Sequence, residues 1–183
     1  MSAREILSTP RLTLREMDEG DFDALCAILQ DETVMAAYAH AFSDQEVRAW
    51  LQNQRRRYAR YGFGLWAMLE KETGDMIGQC GLSMQKTPER EVLEVGYLLR
   101  RDRWGRGLAT EAARACRDYA FDVLGAREVF SIIRDNNLAS QRVALRNGMR
   151  PCGGFVKHYW GVDMPHIVFC VRRESRDAPE PGG

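Results

Sequence analysis

Apolar residues recur along this chain with two different periods, one typical of strands and one typical of helices. Alternation with period two, or short apolar runs between turn residues, predicts strands at residues 11–17, 63–71, 75–85, 90–100, 127–133, 155–162 and 164–173. Apolar residues spaced three and four positions apart predict helices at residues 18–29, 43–60, 107–124 and 136–148. This order, β-α-α-β-β-β-α-β-α-β-β, predicts an α/β fold in which a mixed sheet carries helices on both faces.

Turn and capping residues mark several element boundaries. Ser43 and Glu46 form a capping-box pattern at the start of the second helix, and Gly125 stands where the third helix should end. No linker or internal repeat interrupts the order, so a single domain over residues 9–173 is expected. The final segment, residues 174–183, is polar and rich in Pro and Gly, which predicts a disordered tail.

The composition argues against several classes of function. The 26 basic and 26 acidic residues cancel, which argues against a dedicated nucleic-acid binder or membrane-surface binder. The 5 cysteines are scattered, form no C-x-x-C pair and have no histidine at metal-ligand spacing, so we expect reduced thiols in a cytoplasmic protein and no metal site. No segment resembles a signal peptide and no apolar run reaches the roughly 20 residues that span a bilayer, so no membrane partner is expected.

Two glycines stand where the third helix begins. Gly105 and Gly107 follow a predicted strand and precede small residues, in the segment RDRWGRGLATEA at 101–112. The first backbone N–H groups of a helix have no internal partner, and glycine lets a ligand approach them closely. The segment therefore predicts an anion site suited to phosphate, with a tight turn and solvated arginines as the alternative. Neither G-x-G-x-x-G nor G-x-x-x-x-G-K-[ST] is present, which argues against a nicotinamide or nucleoside-triphosphate site.

Taken together, the segments EVGYLLRRDRWGRGLATEA and RDNNLASQRVALRNGM resemble the acetyl-CoA-binding core of the GNAT N-acetyltransferase superfamily. The N-terminal TPRLTLREMDEGDFDAL and the central GLWAMLEKETGDMIGQCGL are similar to the branch that contains the ribosomal-protein-alanine and -serine N-acetyltransferases. The resemblance covers about residues 9–173. It implies a GNAT-like acyltransferase fold and the transfer of an acetyl group from acetyl-CoA to a primary amine.

The resemblance also implies which residues hold coenzyme A. In the family, the strand before the glycine loop pairs with the pantetheine amides, the loop amides bind the pyrophosphate, and an N-x-x-S segment lies near the thiol. Carried onto this sequence, the cofactor residues are Leu98, Leu99, Arg100, Trp104, Gly105, Arg106, Gly107, Leu108, Ala109, Asn137 and Ser140. Asp102 stands where the family often has Gln or Arg, so this acid is not assigned to the cofactor.

Glu94 is the candidate general base. Alternation along its strand puts it on one face with Gly96 and Leu98, so a carboxylate stands among apolar neighbours. Burial at such a position would raise its pKa and make it a better proton acceptor. The resemblance points to the same residue, because family members often use an acid on this strand; an edge acid that faces water is the alternative.

The candidate general acid is less clear. Direct attack by an amine needs no nucleophile on the enzyme, and the sequence has no G-x-S-x-G elbow. Many GNAT enzymes carry a tyrosine general acid seven residues after the Asn of the N-x-x-S segment, where this chain has Ala144. Ser140, a water molecule or unassisted departure of the thiolate is expected in its place.

Four polar residues of the closing strands are candidates for binding the acceptor, because the family borders its acceptor site there. Hydrogen-bonded surface positions are the alternative. The four are His158, Tyr159, Asp163 and His166. The arginine-rich segment 55–60, on the second predicted helix, is interpreted as a solvated helix face.

The branch resemblance favours a peptide or protein N-terminal α-amine as the acceptor. A small-molecule amine (polyamine, amino sugar, amino acid or antibiotic) is an alternative, and so is a non-catalytic acyl-CoA-binding regulatory module. The strands near the C-terminus leave a homodimer open, and the sequence does not decide the oligomeric state.

Overall fold

The computed structural model describes residues 3–176 as an eight-stranded sheet with helices on both faces. Within this range the helices are α1 (Phe22–Leu29), α2 (Asp44–Tyr61), α3 (Leu108–Asp122) and α4 (Leu138–Arg146). The strands are β1 (Glu5–Ser8), β2 (Leu12–Arg15), β3 (Leu65–Glu70), β4 (Met76–Lys86), β5 (Glu91–Leu99), β6 (Glu128–Arg134), β7 (Arg150–Tyr159) and β8 (Val162–Arg172). Their order across the sheet is β1-β2-β3-β4-β5-β6-β8-β7, and the predicted mixed α/β fold is confirmed.

The two strands at the centre of the sheet, β5 and β6, share little backbone pairing. In the described sheet β5 and β6 are the parallel pair, and the other neighbouring strands are antiparallel. β5 pairs with β4 at every position from Glu91 to Leu99. With β6, by contrast, it shares a single register position, Glu94 opposite Phe130. The two central strands therefore diverge beyond Glu94, toward the end of β5 that leads into α3.

Each face of the sheet has its own apolar core. On the α3 side, Trp66 and Phe121 are fully buried in a cluster that also includes Val95 of β5. On the α1 and α2 side, a second cluster surrounds Leu25 and takes Leu98 of β5 at its edge. Alternation along β5 puts Glu94 on the same face as Leu98, as predicted, and the structure shows that this face is the α1 and α2 side.

β1 is an element that the sequence pattern did not predict. Its residues pair with β2, but they are exposed or half-buried, so no alternating apolar run marks them. It lies before residue 9, where the domain was expected to begin. At the other end, Arg173–Ser175 form a 3-10 turn within the predicted tail 174–183, and the part of that tail from residue 177 onward lies outside the described residues.

The N-terminal cap of α2 leads to a small stability prediction. The Ser43 hydroxyl accepts a hydrogen bond from the Glu46 N–H, and the Glu46 carboxylate accepts one from the Ser43 N–H, as the capping-box pattern predicted. Ser43→Ala removes the first of these bonds, so we expect the free energy of unfolding to fall by about 1 kcal/mol. Urea unfolding of the variant measures this, and an unchanged midpoint would show that the cap does not contribute.

Candidate active site

A cavity of about 380 Å³ occupies the gap where β5 and β6 diverge. Residues 94–98 of β5 and 131–134 of β6 line it. Trp50 and Arg57 contribute from α2 on one face of the sheet, and Ser140 contributes from α4 on the other. The cavity therefore joins the two faces through the gap, and its volume is in the range of small-molecule sites.

Glu94 lies where the gap begins and is half-buried. Burial raises the pKa of its carboxyl from 4.5 to about 7, and this effect outweighs the opposing influence of Lys157, the Ile132 backbone N–H and Arg57. The carboxyl is therefore close to half ionised at neutral pH. A group of this kind can both accept and release a proton under physiological conditions.

The loop before α3 presents a row of backbone donors without acceptors. Among the described residues, no carbonyl or side chain accepts a hydrogen bond from the N–H groups of residues 105–110. Gly107 is the N-cap residue of α3, and no side chain caps this helix end. Gly105 and Gly107 adopt φ of +75° and +74°, in the left-handed region that favours glycine. A Cβ at Gly105 would meet nothing within 4 Å, so the loop is open on that side. A row of donors at a helix N-terminus is suited to an anion, so the loop has the geometry that the predicted phosphate site requires, and the site itself stays a prediction.

Arg11 holds this loop from the side, and the sequence analysis did not single it out. Its Nη1 donates to the Arg106 carbonyl at 2.9 Å, and its Nε pairs with the Glu111 carboxylate at 2.7 Å. Glu111, in the first turn of α3, also accepts from the Thr9 hydroxyl at 2.7 Å. The guanidinium therefore holds the loop in place, and the Glu111 carboxylate offsets its charge. No local pattern marks Arg11, because Arg106 lies 95 positions away in the chain.

Several predicted cofactor residues hold the shape of the loop. Trp104 Nε1 donates to the Leu99 carbonyl at 2.8 Å, while 47% of the Trp104 surface stays exposed. Arg100 and Arg103 both bond the Asp102 carboxylate. The hydrogen bond from Arg100 lowers the pKa of Asp102, so this acid is ionised and already paired. Asp102 therefore brings no unpaired negative charge to the predicted phosphate site.

The remaining loop and strand residues differ in what they can offer a ligand. Leu98 lines the cavity at the gap. Arg106 is exposed, with its guanidinium 4.0 Å from the Glu70 carboxylate. Leu108 is buried in the α3 core and Ala109 is half-buried, so for Leu108 the backbone alone is available.

Asn137 and Ser140 form the first turn of α4 at the cavity wall. The Asn137 Oδ1 accepts the Ser140 N–H at 3.2 Å, so Asn137 caps the helix and also lines the cavity. The Ser140 carbonyl accepts from the Tyr97 hydroxyl at 2.7 Å. Tyr97, which the sequence analysis passed over, lines the cavity as well, and burial raises the pKa of its phenol. Ala144 is buried in the α3 core, away from the lining of the cavity.

Two of the four predicted acceptor residues lie at the cavity. Tyr159 and His166 line it. His158 and Asp163 lie outside it, where they pair with each other at 2.5 Å and are about three-quarters exposed. They face each other on β7 and β8, and alternation turns both away from the side that carries Tyr159. The His166 Nδ1 donates to the Met164 carbonyl at 2.7 Å and burial lowers the ring pKa, which leaves Nε2 free to accept a hydrogen bond.

Arg57 departs from the interpretation of residues 55–60 as a solvated helix face. It is half-buried and lines the cavity, whereas Arg55, Arg56 and Arg60 are exposed. Arg57 lies two helical turns after Trp50, which lines the same cavity. That spacing is the signal in the sequence that could have identified it.

The cysteines of the described residues lie away from the cavity. None of the described residues that line it is a cysteine. Cys80 and Cys116 face each other inside the α3 core with their Sγ atoms 3.5 Å apart, and burial raises the pKa of Cys116. Within residues 3–176, no three His, Cys, Asp or Glu side chains are grouped so that they could hold a metal ion. No helix in that range has both the length and the apolar character needed to cross a membrane.

Comparison with known proteins gives one family. Residues 11–150 match the family described as the Acetyltransferase (GNAT) domain. The uncharacterized protein YkkB of Bacillus subtilis (strain 168) is 38% identical over 150 residues, which is 81% of this chain and 87% of that relative.

Solved structures with this architecture include two acetyltransferases with different acceptors. RimL, a ribosomal L7/L12 α-N-protein acetyltransferase, gives a TM-score of 0.79 at 20% identity over 94% of this chain and 96% of its own. Spermidine N-acetyltransferase from Vibrio cholerae, solved in complex with CoA and spermine, gives 0.73 at 15% identity over 92% of this chain and 99% of its own. At these identities the likeness shows the fold alone.

Proposed function

The chain belongs to the GNAT acetyltransferase family and is an acetyl-CoA-dependent acetyltransferase; from this premise we propose that its acceptor is the α-amine of a peptide or protein N-terminus. The amine attacks directly, and Glu94 is the general base. The observation that carries the proposal is a carboxyl of pKa about 7 at the gap between β5 and β6. The gap connects Glu94 with the face of the sheet on which the phosphate loop begins α3.

The chain offers coenzyme A a fitting set of groups on the α3 face. The N–H groups of residues 105–110 have no acceptor among the described residues and suit its pyrophosphate, and Arg11 holds this loop through the Arg106 carbonyl. Along the edge of β5 that β6 has left, the backbone of Leu99 faces the gap and suits the amides of the pantetheine arm, whereas alternation turns the N–H and carbonyl of Leu98 toward β4. Ser140 Oγ and Asn137 Nδ2 lie where the gap meets α4. Neither atom forms a hydrogen bond among the described residues.

Acetyl-CoA, when bound, supplies an acetyl thioester, and attack by a neutral amine forms the amide and releases the thiol. Glu94 takes the proton that the amine loses, because burial gives its carboxyl the required pKa. The Ser140 hydroxyl lines the cavity at the other side of the gap, where it can pass a proton to the departing sulfur and regain one from solvent. Because the amine attacks the thioester directly, the transfer proceeds without an acetylated enzyme, and none of the described lining residues is a cysteine.

The pKa of Glu94 favours an α-amine over a lysine side chain or a polyamine. An α-ammonium has a pKa of about 8 and a lysine ammonium about 10.4. Moving a proton to a carboxylate of pKa about 7 is therefore uphill by about 1.4 kcal/mol for the α-ammonium and by about 4–5 kcal/mol for the lysine. This difference makes the neutral α-amine the more accessible nucleophile at this site.

A mass-spectrometric screen tests the proposed acceptor. The purified protein receives acetyl-CoA and a panel of Ala- and Ser-starting peptides, amino acids, amino sugars and polyamines. We expect acetylated product from compounds with a free α-amine. Product from polyamines or amino sugars alone would contradict the proposal, and coenzyme A binding without any product would favour a non-catalytic module.

The direct mechanism makes a separate prediction about the protein itself. Incubation with acetyl-CoA in the absence of an acceptor is expected to leave the intact mass of the protein unchanged, because in the proposed mechanism the amine itself attacks the thioester. Stoichiometric acetylation that a later addition of acceptor removes would show a covalent intermediate instead.

A further inference from the structure

The geometry points to an acceptor that carries a carboxylate close to its reacting amine, either on the side chain of an acidic N-terminal residue or as the α-carboxylate of a free amino acid. This inference rests on the proposed α-amine acceptor and names its charge; a free amino acid as the preferred acceptor would take the place of the peptide N-terminus in the proposed function. The amine would meet Glu94, and the carboxylate would meet the cations that surround it.

The cavity is lined by an excess of positive charge. Arg57 of α2, Arg134 of β6 and Lys157 of β7 all line it. Glu94 is the sole acidic residue among the described residues that do so. Arg57 and Lys157 are close enough to Glu94 for both to lower the pKa of its carboxyl. The cations are therefore grouped around the position that the amine must reach.

Among the described residues, these cations form no ion pair with an acid. None of the ion pairs formed among residues 3–176 includes Arg57, Arg134 or Lys157. Arg134 donates from Nη1 to the Ala36 carbonyl at 3.3 Å, but its Nε is buried without a hydrogen-bond acceptor. A buried donor without a partner is unfavourable, and a bound carboxylate would satisfy it.

The other polar groups of the cavity do not offset this charge. His40 lines the cavity, and its Nε2 forms a hydrogen bond with the Glu46 carboxylate at 2.9 Å. Glu46 itself does not line the cavity, and its carboxylate also accepts a hydrogen bond from the Ser43 N–H. Exposed Asp135, close enough to influence His166, likewise lies outside the lining. A polyamine would therefore bring several positive charges to a surface that already carries three cations and one acid.

Aromatic side chains complete the wall beside the cations. Phe42 and Trp50 both line the cavity and meet edge to face with their ring centroids 5.8 Å apart. Tyr38 and Tyr159 line it as well. The wall thus offers apolar surface to the carbon skeleton of a residue whose charged ends contact Glu94 and the cations. An acidic amino-acid residue combines these three features.

Matched acceptor pairs test the inference. Peptides that begin with Glu or Gln differ only in the side-chain charge, and phenylalanine and phenylalaninamide differ only at the carboxylate of a free amino acid. We expect kcat/KM to be at least about tenfold higher for the acidic member of one pair, and that pair identifies which carboxylate is recognised. Equal values within both pairs, or a preference for spermidine, would overturn the inference.

Charge-removing variants locate the recognition in the cavity. Arg57→Gln and Lys157→Gln are expected to raise KM for the preferred acid by about tenfold and to reduce its advantage over the amide, with kcat changed much less. Arg56→Gln, one position away on the exposed side of α2, is the matched control and should keep the wild-type ratio. A ratio that stays at the wild-type value in both cavity variants would place the recognition elsewhere and overturn the assignment.

Two further readouts separate the possible failures. Thermal stabilisation by coenzyme A, measured for each variant, shows whether the fold and the cofactor site are intact. Because Arg57 and Lys157 lower the pKa of Glu94, their removal is also expected to move the rising part of the pH profile to higher pH, so KM is compared on the plateau. If the protein acetylates acceptors but does not prefer those with a carboxylate, the inference alone is overturned. If no acceptor gives a product, the proposed function is overturned as well.

Discussion

Replacing Glu94 with Gln is expected to lower kcat by about 100-fold or more near neutral pH while changing acceptor KM much less. The amide has nearly the shape of the carboxyl but cannot accept the proton of the amine. The cavity and the phosphate loop do not depend on its charge, so coenzyme A affinity should remain at the wild-type value. Steady-state kinetics and calorimetric titration of coenzyme A measure these quantities separately.

The pH dependence identifies the base more specifically. In the wild type, kcat should rise with pH through about 7, where the Glu94 carboxyl ionises, and then level off. In Glu94→Gln this step should disappear, and the residual rate should rise near the pKa of the acceptor α-amine, about 8. Glu91→Gln, an exposed acid at the start of β5, is the matched control and should keep the wild-type profile. Wild-type turnover by Glu94→Gln over the whole range would remove Glu94 from the mechanism.

The same substitution should stabilise the fold in alkaline solution. The folded state raises the pKa of Glu94 from 4.5 to about 7, so it favours the protonated carboxyl more than the unfolded state does. Ionisation therefore costs the wild type stability as the pH rises from about 4.5 to 7, and the cost stays constant above that range. Relative to the wild type, Glu94→Gln should gain about 1–3 kcal/mol between acid and alkaline solution. Urea unfolding at several pH values measures this gain.

Gly107→Val is expected to weaken coenzyme A binding by at least about tenfold, or about 1.4 kcal/mol. Gly107 has φ of +74°, which a β-branched residue adopts only with strain. Space is not the obstacle, since a Cβ there would lie 3.7 Å from Arg11 Nη2. To relieve the strain, the backbone must rotate and turn the N–H groups of residues 105–110 away from their common direction. Calorimetric titration well below the unfolding temperature measures the affinity.

Gly125→Val separates backbone strain from loss of the anion site. Gly125, after the end of α3, has φ of +70°, and a Cβ added there would meet no atom within 4 Å. Both variants should lose about 1–2 kcal/mol or more of stability from the left-handed conformation, but only the Gly107 variant should lose coenzyme A affinity. Wild-type affinity in both variants would show that the loop before α3 does not hold the cofactor.

Features that depend on residues close together in the sequence could be predicted from it. The capping box of Ser43, the glycine loop before α3 and the position of Glu94 on its strand each depend on spacing within one element. Their geometry in the structure agrees with those local patterns. β1 was missed because a four-residue strand with no buried side chain leaves no such pattern.

Features that depend on distant pairing could not be read in the same way. The gap between β5 and β6 arises because one register position joins strands that α3 separates in the chain. Arg11 reaches the loop across 95 positions. On β7, alternation would have helped: Lys157 and Tyr159 share the cavity face, while His158 points to the other side. His158 was predicted because polar residues close together in the sequence were grouped without regard to which face of the sheet they occupy.

The site of acetylation on a peptide with two kinds of amine tests the central claim most directly. Peptides with a free N-terminus and one internal lysine, beginning with Ala or with Glu, are incubated with the protein and acetyl-CoA, and tandem mass spectrometry locates the acetyl group. We expect it on the α-nitrogen, because the carboxylate of Glu94 is matched to the pKa of an α-ammonium. Acetylation of the lysine side chain in preference to the N-terminus would contradict this account of the site.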